Sequence, residues 1–310
     1  MAAPVLSSTP IIFSSWFCPF AQRVLIAAHA KKPAAHFAVH ELSFQELFTS
    51  KPQWLLDLNP EGLVPFMAWK SNSSSSGSSS GSSSSSTWDT QAAVAAAAAA
   101  GLDAVVVRES LVCNEYLEDK FPDPPLLPSD PVGRAAARLL THRVSNEFVT
   151  AFIRVLKDQR DTQSVQEAAA ARLDDEITWL MSRMSSKGPL ALSDRLSLEA
   201  AAASLDDEIT WLMSRMSSKG PLALSDRLSL VDCAVAPHLL RLYILRHYAG
   251  YRYKGPAAVR LRQYCKALKS HPAVAATLVH PEGLDYREEL LKVYAHYGVS
   301  LVFNHRAPLW

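Results

Sequence analysis

Features that define several large functional classes are scarce in this chain of 310 residues. Basic residues exceed acidic ones by one, for a net charge of +1, which gives no electrostatic basis for binding nucleic acid or an acidic membrane. No apolar run approaches the roughly 18 residues of a membrane-spanning helix. About nine residues precede the first predicted strand, too few for a signal peptide. We therefore expect a cytoplasmic protein without nucleic-acid binding or stable membrane association.

Cysteine is also sparse, and its distribution argues against a metal site. The four cysteines, at positions 18, 113, 233 and 265, lie far apart and show no metal-binding spacing, so we expect no metal and a reducing compartment. His36 and His40 would lie about 13 Å apart on a strand. That distance is too large for one ion to bridge.

The most informative cysteine is Cys18, which begins the hexapeptide CPFAQR. Apolar residues 11–13 precede it and a helical pattern follows, so the thiol is expected where a strand passes into a helix N-terminus. The unpaired N–H groups and the positive end of the helix dipole favour a thiolate there, and Pro19 suits the first helical position. A small buried residue in the turn is the alternative. Because Ala21 stands where a C-x-x-C pair has its second cysteine, a single-thiol mechanism must take its second thiol from solution.

The order of predicted elements indicates an α/β domain followed by a helical one. Strands are expected over 10–17, 36–43, 63–69 and 102–107, with helices over 18–30 and 110–120. This β-α-β, then β-β-α order is that of a thioredoxin-like domain, which we assign to residues 1–125. The Ser/Ala-rich insertion at 71–101, with a serine run at 71–86 and an alanine tract at 95–100, is expected to be disordered. An all-α domain is expected over 131–310.

A tandem duplication interrupts the helical half. Residues 167–198 recur at 199–230 with one change, Arg172 against Ser204. Each copy predicts an amphipathic helix, and we expect one packing site that holds only one copy. The stripe is Leu173, Ile177, Leu180, Met181 and Met184 in the first copy and Leu205, Ile209, Leu212, Met213 and Met216 in the second.

The second copy leads into a helix-capping signal. Ser229 and Asp232 fit the Ser-x-x-Asp form of a capping box. An apolar helix is expected to follow it, from Cys233 to Leu245.

Six motifs in this order resemble the cysteine-type glutathione transferases, most closely the omega class, with lambda-class and dehydroascorbate-reductase-like enzymes nearby. The resemblance covers nearly all of the chain outside the insertion and one repeat copy. It implies the glutathione transferase fold, glutathione as co-substrate and a homodimer. The motifs are FCPFAQR (17–23), KPQWLLDLNPEGLVPF (51–66), ESLVCNEYLEDKFP (109–122), LLPSDP (126–131), SLVDCAVAP (229–237) and LDYREELLKVY (284–294).

The resemblance assigns glutathione-binding roles to residues in three of the motifs. It implies a cis peptide bond between Val64 and Pro65, which exposes the Val64 backbone to pair with the tripeptide as an added strand; an ordinary trans proline is the alternative. It also implies that Glu109 binds the γ-glutamyl ammonium group and Ser110 the γ-glutamyl carboxylate. An N-cap is the simpler role for Ser110, and the two roles are compatible.

Further roles follow from the same resemblance. Lys51 matches a lysine that faces the glycyl carboxylate, and Phe20 is expected beside the thiol and the tripeptide, with a core position as its alternative. Tyr286 falls where omega enzymes place an aromatic residue at the electrophile site, and an exposed surface tyrosine is the alternative. Asp232 is assigned a structural role in the capping box.

Together these residues imply a glutathione-dependent enzyme in which Cys18 forms a mixed disulfide. Its partners would be glutathione and a small electrophilic or oxidised substrate. The implied activities are thioltransfer, dehydroascorbate reduction and deglutathionylation of small adducts. Two alternatives share the fold: a protein like the chloride intracellular channels, and a catalytically silent interaction module.

Overall fold

The computed structural model of the protein describes residues 4–32, 36–70, 104–150, 152–153, 163–183, 220–249, 251–253 and 257–296. The chain divides into two compact units, Met1–Asp123 and Pro124–Trp310. The predictions for the serine run, the alanine tract, Met184 and the second copy's helix concern residues outside the described part.

The first unit is built on a four-stranded mixed sheet. The strand order is β2-β1-β3-β4; β1 pairs with β2 in parallel and with β3 antiparallel, and β3 pairs antiparallel with β4. This topology confirms the thioredoxin-like fold. In chain order the elements are β1 (Ile11–Ser14), α1 (Pro19–Ala30), β2 (Ala38–Glu41), a π-helical segment (Gln45–Thr49), α2 (Gln53–Leu58), β3 (Phe66–Lys70), β4 (Ala104–Arg108) and α3 (Ser110–Lys120).

The observed elements are close to the predicted ones, with two omissions, the π-helical segment Gln45–Thr49 and α2. Helix α3 has its predicted bounds, while each strand is shorter than predicted. The sequence reading did not include α2, although its three buried residues, Trp54, Leu55 and Leu58, are spaced as one face of a short helix. Strand β3 begins after Pro65, which has no backbone N–H to donate to the sheet.

The core of this unit lies around β1, one of the two central strands of the sheet. Ile12 and Phe13 are fully buried, and the Phe13 ring stacks on Phe66 of β3 with centroids 4.3 Å apart. The strand therefore gives a rigid base for the turn at residues 15–18 that leads into α1.

Helix α1 is joined to α3 by charged groups inside the unit. Lys31, which caps the C-terminus of α1, donates to Glu118 of α3 at 2.5 Å, and both side chains are almost completely buried. Near the other end of α1, Arg23 donates to Ser110, the first residue of α3, at 3.4 Å. The two helices are thus connected at both ends of their contact.

In its described residues the second unit contains only helical elements and loops. This confirms the all-α half of the predicted fold. The elements are α4 (Pro131–Arg143), a π-helical segment (Val144–Phe148), α5 (Gln163–Arg183), α6 (Leu230–Leu239), α7 (Leu242–Ala249), α8 (Ala258–Ser270), α9 (Pro272–Ala275) and α10 (Tyr286–His296).

The single helix predicted from Cys233 to Leu245 is wrong. The chain forms α6 from Leu230 to Leu239, turns at residues 240–241, and continues as α7. Pro237 lies inside α6, where it removes one backbone donor and limits how far a helix continues. The earlier start follows from the cap, since Ser229 at the N-cap makes Leu230 the first helical residue.

Both copies of the duplication contribute to the described structure. The first copy forms most of α5, whose Leu173, Ile177, Leu180 and Met181 are buried. Residues 220–230, the end of the second copy, lead directly into α6. The described structure therefore uses the helix of the first copy and the capping segment of the second. A single copy of the 32 residues contains both parts of the sequence.

The capping box at the start of α6 is present as predicted. The carboxylate of Asp232 is fully buried and accepts from the backbone N–H and the hydroxyl of Ser229, at 2.8 and 2.6 Å. It also accepts from the Ala223 N–H at 2.9 Å and the Tyr264 hydroxyl at 2.7 Å. Asp232 thus joins α6, α8 and the loop that precedes α6.

Replacing Asp232 with alanine is expected to destabilise the second unit by about 3 kcal/mol, because it leaves several buried donors without an acceptor. Ser229→Ala, which removes only the cap hydroxyl, is expected to cost about 1 kcal/mol. Urea unfolding followed by tryptophan fluorescence measures both. Equal losses in the two variants would contradict the joining role of Asp232.

Candidate functional site

Cys18 lies at the N-cap of α1, as the sequence predicts. Its sulfur accepts from the Ala21 backbone N–H at 3.5 Å, and Pro19 is the first helical residue. The thiol is partly buried and donates to the backbone carbonyl of Val64 at 3.8 Å. A sulfur that receives a helix N–H at the positive end of a dipole is placed to react as a thiolate.

The Val64–Pro65 peptide bond is cis. It immediately precedes β3, and the contact of the Val64 carbonyl with Cys18 places this backbone next to the thiol. The turn before it is held by two hydrogen bonds: the Gly62 N–H donates to the Asn59 carbonyl at 2.7 Å, and the Asn59 amide donates to the Leu63 carbonyl at 2.9 Å. Cys18 and Val64 are therefore neighbours, as the resemblance implies.

Glu109 and Ser110 occupy the turn between β4 and α3. Glu109, rather than Ser110, holds the N-cap position, and Ser110 is the first helical residue, so the N-cap role considered for Ser110 is wrong. Glu109 is exposed and has φ of 68°, a region that costs a non-glycine residue about 1–3 kcal/mol. Such conformations concentrate at binding and catalytic sites. The Ser110 hydroxyl is buried and accepts from Arg23.

Arg23 is the member of this region that the sequence reading missed. Its guanidinium is buried, lies 5.1 Å from the centre of the Phe20 ring and donates to Ser110. Burial lowers the pKa of Arg23 to about 10, and the Cys18 sulfur acts in the opposite direction. The guanidinium is thus within electrostatic range of the thiol. Arg23 links three predicted site residues, Cys18, Phe20 and Ser110.

Lys51 lies on the loop before α2 and is held against the turn that leads to Val64. Its ammonium group donates to the Glu61 carbonyl at 3.2 Å, and burial lowers its pKa. Gly62, at φ of 62°, leaves the space for it, since a Cβ there would come within 2.7 Å of the Lys51 side chain. The structure brings Lys51 to the Val64 turn and gives no contact between Lys51 and Cys18.

Aromatic rings surround the start of α1. The half-buried Phe20 ring packs under the Arg23 guanidinium, as described above. Phe17, the residue before the thiol, packs against Phe44 and Phe48, with centroids 6.0 and 6.4 Å away. Phe44 and Phe48 stack on each other at 4.5 Å. The N-terminal end of α1 is therefore flanked by aromatic side chains, of which the sequence predicted only Phe20 near the site.

The other three cysteines differ from Cys18 in environment. Cys113 and Cys233 are buried, and burial raises the pKa of Cys113 well above that of an ordinary thiol. Cys265 is partly buried, and burial raises its pKa to about 11. Cys113 and Cys265 therefore remain protonated thiols at neutral pH, so neither is suited to act as a nucleophile.

Tyr286, the residue predicted at the electrophile site, is the first residue of α10 in the second unit. It is half-buried, and its hydroxyl accepts from the Arg241 guanidinium at 2.9 Å. The alternative of an exposed surface tyrosine is therefore wrong. Arg241 is itself buried and also donates to the Pro237 carbonyl at 2.8 Å.

Within the described residues there is no group of three or more His, Cys, Asp or Glu side chains that could hold a metal ion. The same residues include no helix that is long and apolar enough to cross a membrane. The described site offers one partly buried thiol at a helix N-terminus, next to the Val64 carbonyl and within electrostatic range of the buried Arg23 guanidinium.

Replacing Arg23 with methionine is expected to slow alkylation of Cys18 at neutral pH by about tenfold, because removing an adjacent positive charge disfavours the thiolate. The pH profile of alkylation should move to higher pH. Arg23→Lys keeps the charge and should retain most of the rate. Ser110→Ala removes the hydrogen-bond partner alone, and a loss as large as that of Arg23→Met would contradict the electrostatic role.

Comparison with known proteins agrees with this arrangement. Residues 17–120 match the family described as "Glutathione S-transferase, N-terminal domain". This match contains Cys18, the cis peptide bond and the Glu109–Ser110 turn. The first unit is therefore a glutathione transferase N-terminal domain.

Relatives and solved structures place the chain more narrowly. It is 28% identical over 186 residues to rat glutathione S-transferase omega-1, and the aligned region covers 59% of each chain. It is 32% identical over 132 residues to pyrimidodiazepine synthase of Drosophila melanogaster, covering 43% of this chain and 40% of that one. The crystal structure of glutathione transferase Omega 3C from Trametes versicolor matches 95% of this chain and 94% of its own, with TM-score 0.60 and 25% identity.

The first unit matches the glutathione transferase N-terminal domain family, and the chain as a whole is similar to omega-class glutathione transferases. The matched segments span about half the length of the curated relatives.

Proposed function

We propose that this protein is a glutathione-dependent thiol transferase that uses Cys18 as its nucleophile. The observation that carries the proposal is the position of Cys18, whose sulfur receives a helix N–H at 3.5 Å and lies beside the Val64 carbonyl. Tyrosine- and serine-type transferases use a hydroxyl to activate the thiol of glutathione. A cysteine at this position instead forms a disulfide with it.

The proposed reaction has two thiol–disulfide exchanges. The Cys18 thiolate attacks the glutathione sulfur of a glutathionylated substrate, forming the Cys18–glutathione disulfide and releasing the substrate thiolate, which takes up a proton. The thiolate of a second glutathione then attacks the glutathione sulfur bound to Cys18. Glutathione disulfide leaves and Cys18 returns as a thiolate. Ala21 provides no second thiol, so each turnover consumes one free glutathione, and the glutathione disulfide that leaves contains that molecule and the one brought by the substrate.

Glutathione binding is proposed at the first unit's turn regions. The Val64 backbone would pair with the cysteinyl part of glutathione as an added strand. The N–H groups at the start of α3, with Ser110, would bind the γ-glutamyl carboxylate, and Glu109 its ammonium group. Lys51 would face the glycyl carboxylate. Burial lowers the pKa of Lys51 in the unbound protein, and a bound carboxylate would oppose that effect.

Several finer predictions belong to the same proposal. Phe20 would lie beside the thiol and the glutathione tripeptide, and the half-buried Phe44 and Phe48 rings would contact the apolar part of a small oxidised or electrophilic substrate. Dehydroascorbate reduction and deglutathionylation of small adducts are proposed as its activities, a homodimer as its assembly and the cytoplasm as its location. Tyr286 is proposed at the electrophile site, held by Arg241.

The experiment that tests the proposal combines a binding and a turnover measurement on the purified protein. We expect retention on glutathione-agarose and glutathione-dependent reduction of a small mixed disulfide, followed through the glutathione disulfide formed. Binding without turnover would instead support the silent interaction module. Insertion into liposomes after oxidation, without turnover, would support the channel-like alternative.

A further inference from the structure

The first copy of the duplication fills a groove in the second unit. The groove walls include the π-helical segment Val144–Phe148, whose Val144 and Phe148 are buried, as are Leu173, Ile177 and Leu180 of α5. Leu173, Ile177 and Leu180 form one stripe of α5 at helical spacing. The helix is therefore held first of all by burial of its apolar face.

Polar contacts fix the position of this helix in the groove. Arg143 donates to Glu176 at 3.3 Å and lies 3.6 Å from the centre of the Trp179 ring. Thr178 forms a hydrogen bond of 2.6 Å with Tyr253. A further hydrogen bond joins the Tyr251 hydroxyl to Asp174. The receiving side of the groove is thus specific for this sequence.

The second copy repeats every helix residue that makes these contacts. Its counterparts of the stripe and of the polar residues are Leu205, Asp206, Glu208, Ile209, Thr210, Trp211, Leu212 and Met213. The one difference is at the position of Arg172, which pairs with Glu147 at 2.6 Å, and which is Ser204 in the second copy. Since both members of that pair are about 40% exposed, it shifts an equilibrium by a factor of about five at most.

We propose that residues 199–215 of the second copy are an alternative occupant of this groove and that the two copies exchange within one molecule. The capping segment at 220–230 comes from the second copy in the described structure, so it stays in place when the occupant changes. When the second copy takes the place of the first, the connection that precedes the docked segment becomes 32 residues longer. The connection from the docked segment to the capping segment becomes 32 residues shorter. Connection length has a weak effect, a factor of about three per doubling.

The consequence is a groove with two nearly equivalent ligands in the same chain. Arg172 is the residue that distinguishes them, and its ion pair with Glu147 favours the first copy. The inference is independent of the proposed enzymatic activity, because it concerns which segment completes the helical unit.

Aspartate substitutions in each copy test the proposal through redundancy. Ile177→Asp and Ile209→Asp should each leave the unfolding equilibrium constant within about tenfold of the unaltered protein, because the intact copy takes the groove. The double variant should raise that constant by about 10³-fold or more. Ala171→Asp, at an exposed position of α5, controls for the added charge and should have little effect.

Two results would overturn the proposal: Ile177→Asp as unstable as the double variant, or a double variant as stable as the unaltered protein. The proposal would also be overturned if the Ile177→Asp protein were stable only when it forms a larger oligomer at higher concentration. The exchange would then be between molecules. Size-exclusion chromatography at two concentrations distinguishes this case.

A second measurement reads the occupant directly. In hydrogen exchange with mass spectrometry, the two copies give distinguishable peptides because one carries Arg172 and the other Ser204. In the double variant Arg172→Ser with Ser204→Arg, protection should shift toward the second copy by up to about fivefold in population. Unchanged protection of the first copy would show that Arg172 does not select the occupant.

Discussion

Replacing Cys18 with serine is expected to lower glutathione-dependent disulfide reduction by about 10³-fold or more, since a hydroxyl cannot form the mixed disulfide. The fold should be kept, because serine is an effective N-cap residue and can accept from the Ala21 N–H in place of the sulfur. The measurement is the rate of glutathione disulfide formation with a small mixed disulfide as substrate.

The chain offers a matched control for this loss. Cys265→Ser removes the other partly buried thiol, whose pKa burial raises to about 11, and it should leave the rate unchanged. A Cys18→Ser protein that keeps its activity while Cys265→Ser loses it would overturn the assignment. Circular dichroism on both variants separates a chemical loss from a folding loss.

Breaking the buried ion pair of the first unit is expected to have the largest effect on stability. Glu118→Gln leaves the Lys31 ammonium, fully buried, without its charge partner at 2.5 Å. The expected cost is about 3–5 kcal/mol in the free energy of unfolding, because an uncompensated charge remains in the interior. Since Lys31 caps α1 and Glu118 lies on α3, glutathione binding should weaken as well.

Two controls isolate the charge as the cause. The double variant Lys31→Met with Glu118→Leu removes both charges while keeping similar volumes, and it should recover most of the lost stability. Lys292→Gln removes an exposed pair with Glu289 in α10 and should cause no measurable change. A double variant as unstable as Glu118→Gln would show that packing, rather than charge, explains the loss. Urea unfolding measures all three proteins.

The elements around the site were predictable because their signals are local. Pro19 at the first position of α1, the motif that begins α3 at Ser110 and the Ser229–Asp232 box all act within a few residues of the feature they set. Helix α3 was accordingly predicted with its observed bounds. The proximity of Cys18 to Val64 depended on the resemblance, since 46 residues separate them.

What the sequence did not reveal depends on contacts between distant segments. Arg23 has the sequence pattern of an ordinary helix cation, and its burial depends on the packing of α3, 87 residues away. The turn that ends α6 and the contact from Arg241 to Tyr286 also could not be predicted from local sequence, because neighbouring helices determine them. Periodicity within a segment carries no information about such partners.

The most direct test of the central claim is the intact mass of the protein after brief exposure to glutathione disulfide. We expect one glutathionyl adduct, mapped to Cys18, that excess glutathione removes completely. The Cys18→Ser protein should show none. An adduct located at Cys265, or no adduct on a folded protein that reduces disulfides, would contradict the claim that Cys18 forms a mixed disulfide with glutathione.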